Sequence, residues 1–150
     1  MESIYGILLT LHNWPRWGVL QAAVAALVSA WSGWLGKRDY TSTDRTLGMF
    51  FTIVLDIQLL LGIILYFVSP LIQGVLSDFG SAMSVPELRF FGLEHVFYMV
   101  IAVIAAHVGS AMAKRANEPQ KKFMRSALWF TLAVVIILIA IPWSRPLFRI

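Results

Sequence analysis

Three histidines are the only imidazoles in this chain, and each falls in or beside a long apolar run. His12 precedes the first run, His95 opens the third directly after Glu94, and His107 lies further along that third run. An ionisable side chain at membrane depth is costly, which makes each a candidate functional residue. Imidazole is the usual axial ligand of haem iron, and helix bundles place such ligands on facing helices. His12 and His95 belong to different runs and reach one membrane face, a pattern that suits bis-imidazole ligation of one haem b. Arg16 and Arg89 are placed to pair with propionates, because guanidinium matches carboxylate geometry. Glu94 is placed to orient an imidazole. Neighbours on a helix point about 100° apart, which argues against a three-ligand metal site of His12, Glu94 and His95.

His107 follows His95 by about 18 Å along a helix axis, too far to share one haem with it. Asp56 lies near the middle of the second run, within reach of His107 if the two runs are adjacent. Asp56, Gln58 and His107 are therefore candidates for a quinone head-group site or a proton path. Interhelical hydrogen bonding is the plainer use of such residues. Met99 and Met112 are further axial-ligand candidates, although methionine in a bundle usually fills space.

The elements that must position these groups follow from composition. The chain has 150 residues, of which 59% are hydrophobic and 13% charged, and its mean hydropathy is +0.75. A soluble domain this size would expose too much apolar surface. The expectation is an all-α integral membrane four-helix bundle forming a single domain. A crossing helix needs about 20 apolar residues, and four windows qualify: 14–35, 47–68, 90–113 and 126–143. Pro15 begins or kinks the first, so the apolar stretch 4–11 either lies in the interface or extends that span.

The connections set an orientation. Residues 36–46 carry Lys37, Arg38 and Arg45, and residues 114–125 carry Lys114, Arg115, Lys121, Lys122 and Arg125. The other side holds only Arg16, Arg89, Arg145 and Arg149. The positive-inside rule then puts the basic loops in the cytoplasm and both termini outside. A bacterial inner (cytoplasmic) membrane location is expected. The chain opens Met-Glu-Ser without a basic n-region, so no cleaved signal peptide is expected. Residues 69–89 mix Pro and Gly with Leu and Val, consistent with a short helix on the outer surface.

Several classes are excluded or demoted. Cysteine is absent, which removes disulfides, iron–sulfur clusters and covalent haem attachment. No nucleophile–base arrangement, phosphate loop or nucleotide fingerprint is present. The net charge of +4 sits at the ends of apolar runs and implies no nucleic acid.

The string Leu11-His12-Asn13-Trp14-Pro15-Arg16-Trp17, the Thr43-Asp44 turn, Asp56-Ile57-Gln58-Leu59-Leu60-Leu61-Gly62, Glu94-His95 and Ile141-Pro142-Trp143 resemble an uncharacterised group of bacterial membrane proteins labelled cytochrome b-like. The general layout resembles the small four-helix cytochromes b of the b561 type. That resemblance implies electron transfer with quinol or a membrane redox partner. Proteins of the b561 type hold two haems with four histidines. Three are present here, none of them in spans two or four, so at most one bis-His haem fits, on His12 and His95. Two other classes stay open. One is a cofactor-free accessory subunit of a larger respiratory or photosynthetic complex. The other is a small proton- or metal-coupled transporter using Asp56 and His107, formed as a homo-oligomer.

Overall fold

The computed structural model describes residues 4–143; Arg145 and Arg149, counted above on the outer side, lie outside the described residues. The order is α1 (Ile4–Asn13), α2 (Pro15–Leu35), α3 (Ser42–Val68), α4 (Pro70–Ser77), α5 (Phe79–Ser84), α6 (Pro86–Arg89), a π-helical turn (Phe90–Glu94), α7 (His95–Lys114) and α8 (Pro119–Ala140). Among the described residues there is no strand.

Four helical stretches are long and apolar enough to cross a membrane: Ile4–Leu35, Ser42–Val68, Pro86–Lys114 and Pro119–Ala140. The protein is thus an all-helical, multi-pass chain suited to a lipid bilayer. Local chemistry moves the start of three spans from the hydropathy windows. The first span reaches back to Ile4, because the chain interrupts its helix only at Trp14 before Pro15 restarts it. The second begins at Ser42, because Thr41 and Asp44 form a reciprocal capping box. Pro119 starts the fourth at its first helical position.

Packing is up-and-down: α2 lies against α3 and α8, and α7 against α3 and α8. The core is built from small residues, with Ala22, Ala23 and Ala26 of α2, Ala102, Ala105 and Ala106 of α7 and Ala133 of α8 all buried. Without a hydrophobic drive between helices in lipid, such residues gain close backbone approach and dispersion contact. Phe51 and Phe130 meet edge-to-face at 5.4 Å in the middle. Gly109 lets α8 approach, since a Cβ there would stand 2.6 Å from Trp129 Cβ. Gly33 likewise receives the ring of the fully buried Phe123. Trp31 Nε1 donates to the Thr131 hydroxyl across α2 and α8 at 3.0 Å.

The basic end is held by one carboxylate. Asp44 accepts both guanidinium nitrogens of Arg38 at 2.6 and 2.7 Å, the Thr41 amide at 2.8 Å and the Ser29 hydroxyl. The Arg38 guanidinium also lies 4.7 Å over the Phe123 ring, and Tyr40 packs on the same ring at 4.9 Å. This ties both basic loops together. The 69–89 connection folds into three short helices, and buried Ile72 and Val75 hold α4 against the bundle.

Two outcomes follow. Gly33→Ala is expected to lower the thermal midpoint in detergent, at a cost of about 1–3 kcal/mol from overpacking. Gly18→Ala, with nothing within 4 Å of the new Cβ, is expected to leave the midpoint unchanged. Burial raises the Tyr40 phenol, with Asp44 adding to the effect. Its contribution to stability is therefore complete below pH of about 10 and is lost as pH rises through the elevated value. Tyr40→Phe should reduce the alkaline fall of the unfolding midpoint; an unaltered alkaline limb would contradict that role.

Candidate functional site

The cavity that matters lies at the end of the bundle opposite the basic loops. Its volume is about 290 Å³, and His12, Arg16, Gln58, Gly62, Tyr66, His95, Met99 and Ile141 are among its walls. Each arrives there for a local reason.

His12 sits in the last turn of α1. Pro15 has no N–H and breaks the helix just beyond it, while α1 packs mainly on α3. Gln58 Nε2 donates to the His12 carbonyl at 2.6 Å and lies 3.4 Å from His12 Nδ1. Gly62 stands one turn after Gln58 on the same face, and a Cβ there would come 3.0 Å from His12 Cε1. Glycine thus makes room for the imidazole. Arg16 follows His12 by one turn on that face and is buried, with its guanidinium 5.6 Å from the Trp17 ring.

His95 begins α7 directly after the π-turn. That turn packs closely: Gly92 faces Val75, where a Cβ would meet Cγ1 at 2.7 Å, and the Gly92 carbonyl accepts the Tyr66 hydroxyl at 2.8 Å. Turns of this kind recur at functional sites, and hydropathy gives no sign of them. His95 Nδ1 lies 2.7 Å from the Ala140 carbonyl oxygen. That carbonyl is free because α8 stops there. Ile141 leaves the helix with extended backbone, and Pro142 cannot continue the ladder. The Ile141-Pro142-Trp143 string thereby presents the acceptor that orients His95. A carbonyl only accepts, so Nδ1 carries the proton and Nε2 has the free lone pair.

The two imidazoles come together across the cavity, their ring centroids 6.3 Å apart and their planes at 81°. Two imidazoles sharing one metal ion at bonds of about 2.0–2.1 Å would have centroids roughly 6 Å apart. Beside them the buried Gln58 Oε1 accepts no hydrogen bond among the described residues. Paired imidazoles at this separation and a cationic side chain at the wall are compatible with a metallated macrocycle that carries acidic substituents.

The remaining candidates divide. Arg89 and Glu94 pair with each other at 2.7 Å, and Arg89 also donates to the Met83 carbonyl. Neither lines the cavity; the group beside His95 Nδ1 is the Ala140 carbonyl and not Glu94, and Arg16 is the arginine in the cavity wall. Met99 lines the cavity and Met112 does not. Among the described residues no group of three or more His, Asp or Glu side chains could hold a metal ion. His107 Nε2 lies 2.8 and 3.0 Å from the Asp56 oxygens, the pairing expected of adjacent spans. Gln58 is turned to the opposite side of α3, as a two-residue step of about 200° requires. The quinone or proton trio thus separates into Gln58 beside His12 and a distant Asp56–His107 couple. Sequence reasoning did not identify Tyr66, Gly92 or the Ala140 carbonyl. The spacing Gln58-Gly62-Tyr66, one helical stripe, was the available signal.

Comparison of the chain with protein-family models, with curated proteins and with solved structures finds no match in any of the three.

Nitrogen NMR of histidine-labelled protein free of cofactor should find His95 as the Nδ1–H tautomer. A proton on Nε2 instead would remove Ala140 as its partner.

Proposed function

We propose that this chain is a membrane electron-transfer protein that holds one haem b between His12 and His95. The observation that carries the reading is the convergence of two half-buried imidazoles from different helices at a separation suited to one shared ion. Bound there, haem would supply reversible one-electron chemistry. His95, fixed by Ala140, presents a defined Nε2 lone pair. His12 and His95 would together hold the iron, Arg16 would lie near an acidic substituent, and Gly62 leaves room for the His12 ring. The cavity of about 290 Å³ lies just below the roughly 300–1,000 Å³ range of ligand sites. The wall that can yield to a larger group is α1, which buries no residue of its own.

The excess of Lys and Arg in residues 36–46 and 114–125 supports placing that end in the cytoplasm of a bacterial inner membrane. The haem site and both ends of the chain would then lie on the outer side. Electrons would be exchanged there with quinol or with a membrane redox partner.

Protein produced with haem available and purified in detergent should show a sharp reduced α-band and about one haem b per chain by pyridine haemochrome. His12→Ala and His95→Ala should each lose most of that band while still inserting in the membrane. His107→Ala should keep it. Gly62→Val, which pushes on His12 without removing a ligand, should reduce haem content several-fold. A colourless wild-type protein would overturn the reading.

A further inference from the structure

Asp56 and His107 form a polar couple on the outside of the bundle. The His107 side chain is 51% exposed and that of Asp56 46%. Asp56 lies about 20 Å along α3 from Ser42, and His107 about 10 Å before Lys114 in α7, so both sit within the hydrocarbon depth. Around them the surface is apolar, with Ile53 and Leu60 of α3 and Val100 and Ile104 of α7 all exposed. Ionisable groups in membrane spans almost always face protein or a water-filled cavity rather than lipid. The α3–α7 face is therefore one that calls for protein or water, not lipid, against it.

We propose that it is a two-fold interface with a second copy of this chain. The argument is complementarity. His107 Nε2 already faces both Asp56 oxygens, while its Nδ1 makes no hydrogen bond among the described residues. With its proton on Nδ1, His107 presents a donor beside the Asp56 carboxyl oxygens, on one edge. A two-fold axis parallel to the membrane normal sets that edge against its own copy. Each Nδ1–H then meets the other copy's carboxylate, closing a ring of four groups in which each donor has an acceptor. Such an isologous contact is self-complementary and closed, whereas any different partner would have to supply a matching pair at the same depth. The surrounding Ile53, Leu60, Val100 and Ile104 would form the dry rim.

The chain has no cysteine, so single-cysteine variants read this face directly. Under oxidation in isolated membranes, Ile53→Cys, Leu60→Cys or Ile104→Cys should give a disulfide-linked species of twice the chain mass. Val24→Cys on α2 and Leu132→Cys on α8 should give little. Adding His107→Gln or Asp56→Asn to the best cross-linking variant should lower the yield several-fold. The unmodified protein should also be dimeric by native mass spectrometry from detergent. Four results would each overturn the proposal: no dimer from the three face variants, equal yield from the two controls, a yield indifferent to loss of the couple, or a monomeric wild-type protein. Adducts to a different protein instead of the dimer would assign the face to a heteromeric complex and overturn it as well.

Discussion

A polar side chain placed in hydrocarbon has to find its partner inside the protein, and the arrangement of this bundle follows from that requirement. Water is absent at that depth, so an unpaired donor or acceptor costs several kcal/mol, on the order of a lost buried hydrogen bond or more. His95 meets the requirement by reaching the one carbonyl that the end of α8 releases. The His12 backbone meets it through Gln58, which crosses from α3 to the broken end of α1. Tyr66 and the Gly92 carbonyl satisfy each other at the π-turn. Each of these bonds joins two different elements, so polar satisfaction and tertiary structure are specified together.

The bundle packs differently along its length. Toward the basic loops, Gly33, Gly48 and Gly109 let aromatic side chains from α8 press against backbone, and the Asp44–Arg38 hub pins the entrance to α3. Toward the other end a cavity of about 290 Å³ lies between the helices, beside the break at Trp14. A rigid closed half thus supports an open half that holds the two imidazoles. Sites work best when their groups are locked by surrounding packing. Here the Gly92 turn and the end of α8 fix His95, whereas His12 rides on α1, which buries no residue and forms the adjustable wall.

Much of this was legible in the sequence, for physical reasons that also mark where legibility stops. Four spans follow from runs of apolar residues, because the bilayer fixes the length of a crossing helix. The pairing of Asp56 with His107 follows from similar depth on adjacent spans. His12 and His95 share a face because each lies near the start of its span, and the first and third spans cross in the same direction. Helical periodicity separates Gln58 from Asp56 as well, since residues two apart point away from each other. The π-turn before His95 leaves no mark in hydropathy, and the Ala140 carbonyl is backbone, invisible to any reading of side chains. Depth alone draws Arg89 and Glu94 toward the proposed haem site. Their mutual bond is set by the fold of residues 86–94, which depth does not encode.

The central claim is that His12 and His95 share one iron. Pulsed electron paramagnetic resonance of the oxidised protein, produced with haem and with nitrogen-15 histidine, counts the imidazoles bound to the metal. Two coupled imidazole nitrogens on one low-spin ferric centre per chain are the predicted result. No bound iron, or an iron that senses only one labelled imidazole, would contradict it.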